Sequence, residues 1–202
     1  MDVLEAIRKR RSIRRFGPEP VPREALETLV DAARLAPSGM NIQPLEFIVV
    51  DDPEVVAKVF PLLLWAGYIM PKGNPPPGEE PKAYIVNLIN HKLKPRTPKH
   101  DVAAAAENIH LAAVSMGLGT CWVGAVNRPK LAEALGIPKD YEIDTVIAIG
   151  YPAESPVLEV AEGSIEYWKD GGGVLHVPKR PLKDILHVNG FGRRGVKNGG
   201  EG

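Results

Sequence analysis

The chain has 202 residues, a length that suits one domain with a substantial core. Its 25 Lys and Arg are balanced by 25 Asp and Glu, which removes the electrostatic case for nucleic acid or an anionic membrane as partner. One cysteine, Cys121, excludes an internal disulfide and a multi-cysteine metal site. The early acidic residues Asp2 and Glu5 do not suit a signal peptide, and the longest apolar run, Leu62 to Met70, is too short to span a bilayer, so a cytoplasmic protein is the default expectation.

The first expected element is a short amphipathic helix with Asp2 as N-cap and Val3, Leu4 and Ile7 on one stripe. It leads into a basic stretch in which six of the eight residues from 8 to 15 are Lys or Arg. Past the helix the chain is expected to be extended, sending Ser12 and Arg14 to one side and Ile13 and Arg15 to the other. A solvated basic face is the plain alternative. The position, at a helix C-terminus running into an extended segment, favours a phosphate site, because Arg offers a planar fork of donors that stays charged.

After a stiff connector, Gly17 to Pro22, helical spacing of Leu26, Leu29, Val30 and Ala33 predicts a helix that Pro37 stops. The loop from Pro37 to Pro44 is polar and turn-rich. Phe47 to Val50 reads as a buried strand. Asp52 is expected to cap a helix through Phe60, with Leu62 to Met70 as its continuation or a second short helix. Pro71 to Pro81 carries five prolines and reads as a long irregular loop of the kind that often serves as a lid. Ala83 to Ile89 is a second strand. Asp101 is expected to cap the longest helix, running to Met116, whose small apolar face (Val102, Ala105, Ala106, Ile109, Ala112, Ala113) suits a deep core or a subunit interface. Thr120 to Gly124 is a short strand, Asn127 caps a brief helix that closes at Gly136, and Thr145 to Pro152 is the strongest strand. Ile185 to Phe191 is a possible last strand, and 192–202 reads as a disordered tail. Residues 1–191 are expected to form a single domain, and the class is α+β.

Several chemistries are absent. There is no phosphate loop, the pair Gly117 and Gly119 lacks a third glycine and follows a helix, and the five histidines show no zinc-ligand spacing. His110 reads as a packed or interface histidine, Cys121 as a buried small residue. A place for a phosphate without an evident acid, base or nucleophile fits a protein whose cofactor performs the reaction.

Four motifs in order carry a specific resemblance: Arg10-Arg11-Ser12-Ile13-Arg14-x-Phe16, Ala36-Pro37-Ser38-Gly39-x-Asn41-x-Gln43-Pro44, Gly117-Leu118-Gly119-Thr120-Cys121-Trp122-Val123-Gly124, and Lys179-Arg180-Pro181-Leu182. With them the chain resembles the FMN-dependent nitroreductase family across nearly all of 1–191. The resemblance implies a sandwich built on a central, mostly antiparallel sheet flanked by helices, in an intertwined homodimer with FMN at the subunit interface. It implies that Arg10, Arg11 and Ser12 hold the FMN phosphate, that Lys179 or Arg180 completes that clamp, and that Arg14 serves the N1/O2 edge of the ring. Pro37, Ser38, Gly39 and Asn41 would reach the flavin from the other subunit, and Trp122, Val123 and Gly124 would lie along the ring. No ionisable catalytic side chain is implied, since flavin N5 carries the chemistry, and no metal. Leu45 stands where many relatives carry Trp, and the proline-rich loop replaces their substrate-contacting elements.

The leading reading is an oxidoreductase that uses NADH or NADPH to reduce nitroaromatic or quinone-type acceptors by ping-pong hydride transfer. A same-fold flavoprotein with other redox chemistry, such as reductive dehalogenation or flavin breakdown, would need charged lid residues, for which Glu79, Glu80 and Lys82 are the local candidates. A non-catalytic flavin-binding protein would bind the cofactor without turnover.

Overall fold

A computed structural model of the chain describes residues 1–194. The chain divides into two compact units, one from Met1 to Glu154 and one from Ser155 onward. The first holds α1 (Val3–Lys9), α2 (Arg23–Arg34), β1 (Leu45–Val50), α3 (Pro53–Val59), β2 (Ala83–Asn90), α4 (Pro98–Ser115), β3 (Gly119–Val123), α5 (Arg128–Leu135) and β4 (Tyr141–Gly150). Its sheet has the order β1-β2-β4-β3, and every neighbouring pair is antiparallel. The α+β class and the antiparallel sheet flanked by helices are as expected.

The strands β2 and β4 are buried along almost their whole length, so both faces of the sheet must be covered. Alternation does the sorting. Tyr84, Val86, Leu88, Val146 and Ala148 join one core with Val59, Leu63, Trp65 and Leu131. Ala83, Ile85, Ile147 and Ile149 point the other way, into a core with Leu26, Leu29, Ala33, Ala105, Ala106, Ile109 and Ala113 of α2 and α4. The small side chains of α4 let its axis come close to the sheet, which is why the longest helix is also the most buried one.

After α1, residues 12–17 form an extended strap across the β3/β4 end of the sheet. Ser12 bridges Thr120 in parallel and Phe16 bridges Pro152 in antiparallel sense, with the Ile13 amide donating to the Thr120 carbonyl (2.8 Å) and the Gly17 amide to the Tyr151 carbonyl (2.8 Å). Gly119 and Gly150 are cross-strand partners, and both must lack a side chain. A Cβ on Gly119 would lie 2.8 Å from Ile13 Cγ1, and one on Gly150 would lie 2.8 Å from Phe16 Cδ1. Ile13 and Phe16 are buried as a result, the latter completely.

Three local expectations are corrected. Leu62 to Met70 does not continue α3: a 3-10 turn at Phe60–Leu62 is followed by extended chain that runs beside 125–127, with the Leu64 amide on the Ala125 carbonyl (2.9 Å) and the Asn127 amide on the Leu62 carbonyl (2.8 Å), and the only helical piece in the rest of that run is a short 3-10 turn at Gly67–Ile69. Pro61 has no amide to carry the helix on, and Ala66 takes a left-handed conformation (φ 43°). Helix α4 begins at Pro98 with Thr97 as N-cap, because a proline suits the first helical position; Asp101 therefore lies in the first turn and turns its carboxylate elsewhere. Ile185 to Phe191 is not a strand, since Pro181 starts a single helical turn, α6 (Leu182–Ile185), and Asn189 and Gly190 at positive φ then break the chain.

The second unit carries a three-stranded sheet of order β5-β7-β6, from β5 (Val157–Val160), β6 (Trp168–Lys169) and β7 (Leu175–Lys179). Gly192 folds back with its amide on His187 Nδ1 (2.7 Å), so the start of the segment expected as a disordered tail is in a turn, and 195–202 lie outside the described residues. No described helix is long and apolar enough to cross a membrane.

Candidate functional site

Arg10, Arg11, Ser12 and Arg14 lie where α1 gives way to the strap. Asp2 caps α1 by accepting from the Glu5 amide (2.8 Å), and the helix ends at Arg10. All four residues are partly buried. Arg10 sits 3.4 Å from a carboxylate oxygen of Glu107 on α4. Arg11 turns Nη1 onto the Arg10 carbonyl, while its Nε is buried with no hydrogen-bond partner among the described residues. Burial, and then the neighbouring Arg10 charge, push the Arg11 guanidinium below its ordinary pKa. Two adjacent cations partly out of water, one with an unsatisfied buried donor, form an arrangement that an anion would relieve.

Arg14 and Arg15 diverge. The Arg15 guanidinium is held by Glu79 (Nε to Oε2 2.5 Å, Nη2 to Oε1 2.9 Å), and the Phe16 amide donates to the Glu79 carbonyl (3.0 Å). The proline-rich loop expected as a lid is thus pinned to the strap at Glu79, and that carboxylate is already engaged. Arg14 and Ser12 approach the fully buried Cys121, whose thiol is pushed up by that burial, in keeping with an inert small residue.

The Pro37–Pro44 loop is anchored to the other end of α4. Asp101, buried, accepts from Ser38 Oγ (2.8 Å) and from the Gly39 amide (3.1 Å), and Ser38 Oγ in turn accepts from the Gln43 amide (2.9 Å). Met40, Asn41 and Gln43 all take left-handed conformations (φ 55°, 56° and 53°), a concentration of costly backbone that the Asp101 anchor sustains. Met40 is 76% exposed, so this loop presents its tip outward.

Trp122 and Val123 end β3. Val123 is buried, whereas Trp122 is 39% exposed, and its ring lies 5.8 Å from that of buried His110. Gly124 follows in open space, its carbonyl accepting from Arg128 Nη2 (3.1 Å). His110 Nδ1 is 2.6 Å from Thr120 Oγ1, and burial together with the Arg10 charge lowers its pKa to about 4, so it is a neutral packed histidine as expected. Lys179 and Arg180 belong to the second unit, at the end of β7, where Arg180 Nη2 donates to the Asp184 carbonyl (3.3 Å).

The first unit therefore brings Arg10, Arg11, Ser12 and Arg14 to the β3/α4 side of the sheet with Trp122 nearby through His110. Its Pro37–Asn41 loop meets α4 at a different point. Sequence reasoning missed Asp101 as a loop anchor, Glu107 as the partner of Arg10, and Glu154, whose carboxylate accepts from the Arg14 amide (2.5 Å) and the Arg15 amide (3.2 Å). Glu154 is 140 residues from Arg14, and no local pattern announces such a contact.

A helix-covered antiparallel sheet crossed by an arginine-rich strap defines an α+β protein with a cluster of partly buried cations at the head of that strap. Residues 7–151 match the model of the nitroreductase family, and the chain belongs to that family. A Methanothermobacter thermautotrophicus protein provisionally named NADH dehydrogenase/NAD(P)H nitroreductase is 35% identical over 161 residues, covering 77% of this chain and 80% of that protein. The NADPH-dependent FMN reductase of Bacillus subtilis is 29% identical over 165 residues, covering 75% of this chain and 66% of its own length. Among solved structures, a Desulfovibrio desulfuricans protein provisionally named nitroreductase, in complex with FMN, superposes with a TM-score of 0.69 at 28% identity, covering 95% of this chain and 98% of that one.

Proposed function

We propose that this chain is an NAD(P)H-dependent FMN oxidoreductase that reduces nitroaromatic or quinone-type acceptors, working as a homodimer. The observation that carries it is the cationic pair at the head of the strap: Arg11 Nε is buried beside Arg10 without a hydrogen-bond partner among the described residues, in a chain of this family. Those residues fit a terminal phosphate. Arg10, Arg11 and Ser12 would hold it. Arg14 would hold the N1/O2 edge, where a fixed guanidinium favours the negative charge that reduction leaves. Trp122, Val123 and Gly124 would line the ring, and Pro37, Ser38, Gly39 and Asn41 would reach it from the partner subunit. FMN, when bound, supplies the hydride chemistry; the chain supplies position, charge and exclusion of water.

Two observations support the dimer. Val3 (68% exposed), Leu4 (61%) and Ile7 (48%) form the apolar stripe of α1 and are exposed among the described residues, which fits a surface met by a second copy. Asp101, which anchors the Pro37–Pro44 loop, and Glu107, which meets Arg10, are six residues apart on α4. That separation is about 9 Å along the helix and about a third of a turn around it, so one chain presents the two segments in different directions.

The test is direct. Purified protein should be yellow, release FMN and not FAD on denaturation, and oxidise NADH or NADPH with nitroaromatic or quinone acceptors in a parallel-line initial-rate pattern. Protein that takes up no FMN on titration overturns the assignment. FMN binding without nicotinamide oxidation removes the NAD(P)H-dependent reading and leaves the other two, a same-fold flavoprotein with other redox chemistry or a non-catalytic flavin-binding protein.

A further inference from the structure

The strap is held by main-chain bonds on both sides of Arg14, yet its own amide and that of Arg15 have no strand partner. A single oxygen of Glu154 accepts both, at 2.5 and 3.2 Å. The next residue back, Ala153, donates its amide to the Arg15 carbonyl (2.8 Å), so residues 153–154 grip the strap through three bonds at one point. Arg15 is meanwhile drawn to Glu79. Two carboxylates thus fix the peptide units around Arg14: Glu154 through the backbone, Glu79 through the neighbouring side chain.

We propose that Glu154 is a positioning residue for Arg14 and sets the reduction potential of the bound flavin through the strap backbone; this rests on the reading that Arg14 serves the N1/O2 edge. The geometry makes the effect separable from simple charge. A carboxylate near the ring disfavours the reduced, anionic flavin, so deleting its charge alone raises the potential. Loss of its grip moves the Arg14 guanidinium, weakens its stabilisation of the reduced flavin and lowers the potential. The two roles have opposite signs.

The variants follow from that. Glu154→Gln keeps an acceptor oxygen at the same reach without the charge. Glu154→Asp keeps the charge and stops one methylene short of the Arg14 and Arg15 amides. With FMN saturating, midpoint potentials are measured by dye equilibration for wild type, both variants and Arg14→Ala, alongside FMN affinity and thermal melting to establish that each is folded. The expected result is a lower potential for Glu154→Asp, in the same direction as Arg14→Ala. A tenfold loss in the reduced-to-oxidised ratio is about 30 mV for this two-electron couple. Glu154→Gln should be no lower than wild type, and adding Glu154→Asp to Arg14→Ala should lower the potential no further. If Arg14→Ala lowers the potential while Glu154→Asp does not, Glu154 is not a positioning residue and the inference fails by itself. If Arg14→Ala leaves the potential unchanged, the assignment of Arg14 to the ring fails, and the inference with it.

Discussion

His110 couples the stability of the first unit to pH. It is 3% exposed on α4, with Nδ1 on Thr120 Oγ1 at 2.6 Å and its ring against Trp122. Burial first, and the Arg10 cation second, lower its pKa to about 4 in the folded chain. In the unfolded chain the imidazole returns to about 6.5. The sign follows from proton counts. Above pH 6.5 both states hold His110 neutral and nothing is lost. As pH falls below 6.5 the unfolded chain takes up a proton that the folded chain refuses, so stability drops until the folded pKa is reached. The slope is at most about 1.4 kcal/mol per pH unit, and a window of about 2.5 units gives roughly 3 kcal/mol for this one residue. That is a large part of a typical folding free energy of 5–15 kcal/mol.

The perturbation is His110→Gln, which keeps a hydrogen-bonding group toward Thr120 and does not titrate. Urea unfolding at pH 7.5 and pH 4.5, at one protein concentration, yields the loss of stability on acidification for each protein. The wild type should lose roughly 2–3 kcal/mol more than the variant, because pH 4.5 lies about two units below the unfolded pKa. The other titrating groups are common to both chains and cancel in the difference. Equal acid losses in the two proteins would refute the claim that His110 is held neutral by burial.

Two further outcomes are expected. Gly150→Ala and Gly119→Ala each place a methyl 2.8 Å from Phe16 or Ile13, so each should destabilise by about 1–3 kcal/mol and weaken FMN binding together, as the displaced strap carries Arg10 to Arg14 with it; an unchanged urea midpoint would show that the strap is not seated on those glycines. If the site is shared between subunits, Arg10→Glu and Asn41→Asp homodimers should each bind FMN poorly, while the isolated heterodimer of the two should regain one flavin per dimer; a heterodimer that regains none would mean that one chain supplies both segments.

What the sequence made legible is what it states twice. The strands β2 and β4 combine alternation with near-continuous apolar character, and α5 has a capping residue at each end: Asn127 accepts from the Lys130 amide (3.3 Å), and Gly136 closes the helix at φ 63°. The arginine strap was readable because helix C-terminus, basic run and β-branched Ile13 coincide. The misread stretches lacked such agreement. The apolar run of Leu62 to Met70 fits a buried helix or a buried extended segment equally well, and the partner that decides the matter, 125–127, is some sixty residues away. The strands β5 and β7 pair in parallel, with Leu158 opposite Val177, and β5 is largely exposed, so neither carries the alternation that marks a half-buried strand.

Helix α4 shows why the site was harder to read than the fold. Its alanines announce a close-packed face, because apolar periodicity is a property of the helix alone. Its polar residues serve other segments: Asp101 holds Ser38 and Gly39, Glu107 meets Arg10, Asn108 caps the Ala32 carbonyl (2.9 Å) at the end of α2, and His110 meets Thr120. Read in isolation, these four residues are indistinguishable from an ordinary helix's polar face, and Asp101 even imitates an N-cap. Their roles exist only once α1, α2, β3 and the Pro37–Pro44 loop converge on one helix. The same holds for Glu154, a carboxylate whose partners are two amides at the far end of the chain. Motifs locate the residues that face a ligand, since a phosphate imposes its own local demand for clustered arginines. The residues that aim them answer to tertiary contacts instead, and those leave no local period to find.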